Sequence, residues 1–210
     1  MTTSHFSIFN GGLFFEIENE KQAHIAQNAG ASGVIIDMSI SPLHPEYDHE
    51  ELEKVLHLLE IPVIAPFRPG HIVEAEVLLQ YGMFGAYADS RFEAVQQTKQ
   101  EFSFPILEDI STLKEYTPNK NTPVLRKETL EEIIYELQNF TLPENLILTG
   151  PIETISDLVL IKRLNGNTFL LPKNIFEYEN SEKYAQKLVL ASLFWNDTEK
   201  LISLMKPTEE

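Results

Sequence analysis

Five carboxylates, Glu16, Asp37, Asp89, Glu108 and Asp109, fall at or near the ends of short apolar runs. If those runs are parallel strands, the acids share one face of the fold. There they can transfer protons or hold a cation. Glu16, Asp37, Asp89 and Glu108 pointing inward together would repel one another unless Arg68, Arg126, Lys127 or Lys173 compensates. The plain alternative is that the acids face water.

A second cluster offers less. His44, His49 and His57 stand near Glu46, Asp48 and Glu53, residue types that suit zinc or manganese. His49 and His57 lie about two helical turns apart, and the sequence has no H-x-x-x-H or H-E-x-x-H pattern. A solvated polar face is expected, with no metal site. The absence of cysteine excludes disulfides, thiolate ligands and a cysteine nucleophile.

The elements that position these residues alternate along all 210 residues. Strands are expected over 13–17, 33–38, 62–67, 85–89, 104–110, 123–127, 145–149 and 168–173. Helices are expected over 19–29, 49–59, 71–81, 92–100, 112–116, 129–140, 154–164 and 181–194, with Asp48 and Asn180 as caps. Eight strand–helix units suggest a compact (β/α)8 TIM barrel, while a doubly wound open sheet fits the same alternation. The expected organisation is a short extension over 1–10, one barrel domain over 11–205 and a flexible tail over 206–210. Phe14, Phe15, Phe102 and Phe104 read as packing residues. Tyr184, Phe194 and Trp195 mark a helix that closes the barrel.

A formal charge of −16 argues against nucleic acid or an anionic membrane as partner. No apolar run approaches the length of a membrane span, and MTTSHFSIFN lacks the features of a signal peptide, so a cytoplasmic location is expected.

The stretch 61–75, IPVIAPFRPGHIVEA, joins a strand to a helix through a tight turn. It resembles a signature of the lyase (synthase) subunit of glutamine-dependent pyridoxal 5'-phosphate synthase, the PdxS/SNZ family. Gly11-Gly12, Glu16, Glu20, Gln22-Ala23 and Ala29-Gly30-Ala31 resemble that family's first strand and helix, and Gly150, Asp157 and Asn174-Ile175-Phe176 carry a weaker match. Residues 100–144 align poorly. The barrel is what this resemblance implies.

In that family a Schiff-base lysine sits two positions before the arginine of the R-x-G-H segment. Here the position is Pro66, which has no amine and cannot form the imine. The family's first-strand aspartate becomes Glu16, and Asp89 partly covers the acidic cluster after strand four. Lys127 approximates a second lysine. Arg68, Gly70, His71, Gly150 and Lys173 stand where substrate and phosphate would bind. The glycine-rich loop after strand six is replaced by Glu128-Thr129-Leu130-Glu131-Glu132, and the turn after strand seven by Gly150-Pro151-Ile152-Glu153, both acidic. Arg68 and Glu74 could instead pair to fix the strand–helix junction.

The resemblance therefore implies a degenerate homologue, a pseudoenzyme with a binding, assembly or regulatory role linked to vitamin B6 biosynthesis. Two rivals are an active sugar-phosphate lyase using Lys127 as its amine nucleophile, with Glu16 or Asp89 for proton transfer, and a structural oligomeric module without a metabolite. Implied partners are further copies, as a hexamer or dodecamer, a paralogous synthase subunit, or a small phosphorylated sugar. A glutaminase subunit is not expected, because only residues 1–10 precede the first strand. No cofactor is expected.

Overall fold

The structure is a computed structural model and describes residue 9 and residues 11–95, 104–114, 116–118 and 121–206. Eight parallel strands, β1 (Leu13–Ile17), β2 (Gly33–Ile36), β3 (Val63–Phe67), β4 (Gly85–Ala88), β5 (Ile106–Ile110), β6 (Thr122–Arg126), β7 (Ile147–Thr149) and β8 (Thr168–Leu171), pair each with the next. β8 pairs back onto β1, with Phe14 opposite Leu170. The sheet is thus a closed TIM barrel, and the open-sheet alternative is excluded.

The strands are apolar on both faces because one face lines the lumen and the other meets helices. Phe14, Ile35, Ile64, Tyr87, Leu107, Val124, Ile147 and Leu170, one from each strand, pack together inside the barrel. Phe9 stacks on Phe14 with ring centroids 5.6 Å apart. Its carbonyl accepts from Thr168 Oγ1 at 2.6 Å, which pins this plug at the N-terminal end of the lumen. Side chains alternate along a strand. Two residues beyond each member of the apolar ring comes a second tier at the C-terminal mouth: Glu16, Asp37, Pro66, Asp89, Asp109, Arg126, Thr149 and Pro172. One period of two therefore builds both the core and the site above it.

Among the described residues the outer layer holds α1 (Glu20–Ala29), α2 (His49–Leu58), α3 (Ile72–Gln80), α4 (Leu130–Asn139), α5 (Ile155–Arg163), α6 (Ser181–Leu193) and α7 (Thr198–Met205). Side-chain caps start most of them. Asn19, Asp48, His71, Thr129, Thr154 and Asp197 each accept a first-turn backbone N–H, and Thr129–Glu132 and Thr154–Asp157 form reciprocal capping boxes. Asn180 holds the cap position of α6 without a side-chain hydrogen bond. None of these helices is long and apolar enough to cross a membrane.

Three helix expectations need correction. Residues 92–95 are not helical, and 96–100 lie outside the described residues. The segment expected as a helix over 112–116 is a turn at Leu113 and Lys114. The Leu113 N–H is taken by Glu136 Oε2 at 2.8 Å, so α4 holds this loop through a side chain. The terminal helix stops at Leu193, and α7 folds back as a separate element. Phe14 and Phe15 are buried and Phe104 partly so, while Phe102 and residues 207–210 lie outside the described residues.

Lys162 on α5 is buried without a carboxylate partner among the described residues. Its Nζ donates to the Asn167 carbonyl at 2.8 Å and lies 5.5 Å from the Phe169 ring centroid. Burial lowers its pKa below the ordinary lysine value, because the charged form is desolvated and these neutral contacts do not offset that cost. Lys162→Met is expected to raise the urea unfolding free energy by about 1 kcal/mol at neutral pH. The unfolded lysine keeps its proton up to 10.5 while the folded one releases it earlier, so wild-type stability gains on the variant as pH rises through that interval. A destabilised Lys162→Met protein would show that the amine's contacts outweigh its desolvation.

Candidate active site

The mouth tier is organised by two ion networks. In the first, Arg91 from the loop after β4 reaches across to β1. Its Nη2 donates to Glu16 Oε1 at 2.7 Å and to Asp89 Oδ2 at 2.6 Å. Its Nε lies 3.0 and 2.9 Å from the two Asp89 oxygens, and its own backbone N–H donates to Asp89 Oδ1 at 2.9 Å. The Asp89 and Glu16 side chains are 0% and 10% exposed, against 44% for Arg91. Burial opposes the charged guanidinium, but hydrogen bonds and charge from Asp89 and Glu16 more than offset it, and the Arg91 pKa rises.

In the second network, the Tyr87 hydroxyl donates to Asp109 Oδ1 and accepts from Arg126 Nη2 at 2.7 Å. Asp109 Oδ2 also takes the Ser90 N–H at 2.9 Å and the Ser90 hydroxyl at 2.7 Å, with Arg126 Nε 3.4 Å away. Desolvation first, then the charge of Asp109, pushes the Tyr87 pKa well above 10.0. Burial works against Arg126, yet Tyr87 and Asp109 raise its pKa, while Arg91 opposes that rise. The two guanidiniums are near enough to feel each other.

A third pairing lies beside β8. Lys173 Nζ sits 2.6 Å from Glu18 Oε2 and 3.1 Å from Asp37 Oδ2. Burial disfavours its charge, but the two acids raise its pKa. For Asp37, burial acts upward, and the Ser39 and Lys173 hydrogen bonds outweigh it and lower the pKa.

The sequence candidates thus divide. Glu16 and Asp89 meet through Arg91, a residue that sequence reasoning missed. Its signal was the two-residue step past Asp89, which carries strand parity into the loop. Lys127 does not join them. One position after Arg126, it turns outward to Glu136 on α4 at 2.9 Å and donates to the Ser111 carbonyl at 2.6 Å. Glu108 lies on the outer face of β5, where it accepts from Asn121 Nδ2 at 2.8 Å, so Asp109 is the inward acid of that strand.

Arg68 and Glu74 pair as the junction reading expects, with Arg68 Nε 2.6 Å from Oε1 and the Arg68 N–H 2.9 Å from Oε2. The hydrogen bond to Glu74, then its charge, holds the Arg68 pKa above its ordinary value. Gly70 makes the turn at φ +82°, and His71 caps α3 by accepting the Glu74 N–H at 3.3 Å. Gly150 abuts the loop after β6, where an added Cβ would stand 2.5 Å from the Lys127 carbonyl oxygen. Packing alone demands a glycine there. Asn174 donates to Glu153 Oε1 at 3.0 Å, so the turns after β7 and β8 are joined through an acid. Among the described residues no cluster of three or more His, Asp or Glu side chains could hold a metal ion.

Comparison with known proteins bears on this mouth. A profile described as the SOR/SNZ family matches residues 2–91, the part that contains β1 to β4, Pro66, Asp89 and Arg91. The pyridoxal 5'-phosphate synthase subunit PdxS of Shouchella clausii (strain KSM-K16) is 26% identical over 93% of this chain and 85% of its own. That of Niallia circulans is 24% identical over 93% and 86%. The chain is thus similar to the SOR/SNZ family over the part that holds β1 to β4. Solved structures show the same fold. Thiamine phosphate pyrophosphorylase from Pyrococcus furiosus superposes with a TM-score of 0.62 at 10% identity, covering 90% of this chain and 98% of that one. For 3-hexulose-6-phosphate synthase from Salmonella typhimurium the score is 0.59 at 11% identity, covering 87% and 98%. Within the matched part, Pro66 lies in the mouth tier, beside Tyr87 in register.

Removing Arg91 leaves Glu16 and Asp89 buried without their cation. Arg91→Ala is expected to cost about 1–3 kcal/mol of stability, below the figure for a fully buried pair because the guanidinium is half exposed. Urea unfolding of Arg91→Ala, Glu16→Gln and the double variant measures the coupling, and strictly additive effects would dissolve this bridge. Tyrosine absorbance titration checks the second network. Tyr87 keeps its proton above pH 10 while the unfolded chain releases it, so stability falls as pH rises past 10. Tyr87→Phe should abolish that component of the alkaline loss.

Proposed function

We propose that this protein is a catalytically silent relative of the pyridoxal 5'-phosphate synthase lyase subunit, with a binding, assembly or regulatory role linked to vitamin B6 biosynthesis. The observation that carries the reading is Pro66 in the mouth tier, with every described cation near it already bound to carboxylate. An amine nucleophile must reach a carbonyl unprotonated. Lys173 is driven the opposite way by Glu18 and Asp37, and Lys127 is locked to Glu136 outside the lumen.

Sugar-phosphate binding gains no support from the mouth. Glu16, Glu18, Asp37, Asp89 and Asp109 outnumber Arg91, Arg126 and Lys173 there, and a phosphate would add negative charge to that surplus. A soluble cytoplasmic barrel over 11–205, working through self-association or through a paralogous synthase subunit, fits these features better than a lyase running on Lys127. The Phe9 plug and the filled lumen also disfavour delivery of a small molecule through the barrel from a glutaminase.

Borohydride trapping with ribose 5-phosphate, read by intact mass and peptide mapping, tests the silent reading. The expected result is protein of unchanged mass. A reduced sugar adduct on Lys127 or Lys173 would restore the lyase reading.

A further inference from the structure

The link that Arg91 makes between Asp89 and Glu16 divides the mouth. β4 and β1 are not neighbours, since β2 and β3 stand between them on one side and β5 to β8 on the other. The link therefore crosses the opening and does not follow its rim. Asp37 and Pro66, the mouth-tier residues of the two intervening strands, lie on the short arc that it cuts off. Pro66 is buried although it stands at the open end of the barrel, while the Arg91 side chain is 44% exposed.

The two ends of the link are unequal. Asp89 takes Arg91 Nε at 3.0 and 2.9 Å, Nη2 at 2.6 Å and the Arg91 N–H at 2.9 Å. Glu16 takes Nη2 alone, at 2.7 Å. The backbone on either side of Arg91 is also fixed. Ser90 donates its N–H and hydroxyl to Asp109, the Phe92 N–H donates to the Asp89 carbonyl at 3.1 Å, and the Val95 N–H to the Pro69 carbonyl at 2.9 Å. Only the end of the Arg91 side chain can move without breaking these ties. Leaving Glu16 costs one charge-assisted hydrogen bond, and leaving Asp89 costs several.

We propose that Arg91 is a gate over the short arc of the mouth, with Asp89 as its post and Glu16 as its latch. Closed, the guanidinium covers Pro66. Opening breaks the Glu16 contact and keeps the Asp89 contacts, and a small molecule reaches that arc at the rate of this release. The gate concerns access and goes beyond the loss of lyase chemistry, since it can serve a silent mouth or a reactive one. Thiol labelling and borohydride trapping therefore fail independently. A purely structural brace would leave access unchanged when the latch is cut.

The chain has no cysteine, so one introduced thiol reports on the covered arc without background. Pro66→Cys places it there, and Asp37→Cys is a second reporter on the same arc. Alkylation by N-ethylmaleimide, a small neutral reagent, is followed by intact mass in the parent, Glu16→Gln and Arg91→Ala backgrounds, with far-UV circular dichroism to verify folding. The rate is expected to rise in Glu16→Gln and by about tenfold or more in Arg91→Ala, the equivalent of one hydrogen bond to a charged group. Loss of a nearby cation by itself leaves less thiolate and slows alkylation, so a faster Arg91→Ala reaction reports opening. Two controls separate gating from lost stability. Asp197→Ala removes the α7 cap in the outer layer and should leave the rate unchanged. Low urea should leave it unchanged too, because release of one side chain exposes little surface. Equal rates with and without Arg91, or labelling that climbs with urea as global unfolding does, overturns the gate.

Discussion

A surplus of carboxylate over cation at the C-terminal mouth is the constraint to which the rest of the site answers. The Asp89 and Asp109 side chains are 0% and 4% exposed, and that of Glu16 10%. Charges so far from water are tolerable only when paired and hydrogen-bonded. The barrel meets this with arginine. A planar guanidinium can serve two carboxylates at once, as Arg91 does for Glu16 and Asp89, where an ammonium is a point charge. Arg126 does comparable work through Tyr87 and Asp109. The bridge from β4 to β1 then ties opposite parts of the barrel together.

That solution conflicts with the chemistry of a Schiff-base barrel. An attacking lysine needs a lowered pKa, and acids near the amine move it the other way. Lys173 illustrates the effect. The one lysine whose pKa is clearly lowered among the described residues is Lys162, and it bonds a carbonyl in the segment entering β8, at the opposite end of the strand from the mouth. Nucleophile-like electrostatics and the candidate site therefore occupy different ends of the molecule. In the proposed reading, Pro66 stands where the resemblance implies the amine, and the surplus of acids disfavours a phosphate. Both features support the proposed silent reading.

Much of this was legible in the sequence because it follows from short-range rules. All eight strands were visible as apolar runs, and the Arg68–Glu74 pairing from their position at a strand–helix junction. Caps such as Asp48 were visible because an N-cap needs only a local acceptor. The failures have longer-range causes. Glu108 and Asp109 are adjacent in a strand apolar on both sides, so nothing local says which faces inward. Lys127 was misplaced by one residue, which in a strand means the opposite face. Arg91 escaped notice because its partner Glu16 is 75 residues away. The turn at Leu113 depends on a side chain of α4, and the missing fifth-position helix could not be foreseen from apolar spacing at 112–116.

A crystal structure of the protein soaked in ribose 5-phosphate measures the central claim most directly. The expected structure keeps Arg91 between Glu16 and Asp89 and Lys127 on Glu136, with no sugar density continuous with a lysine at the mouth. Sugar bonded to Lys127 or Lys173, with Arg91 displaced from its carboxylates, would contradict it.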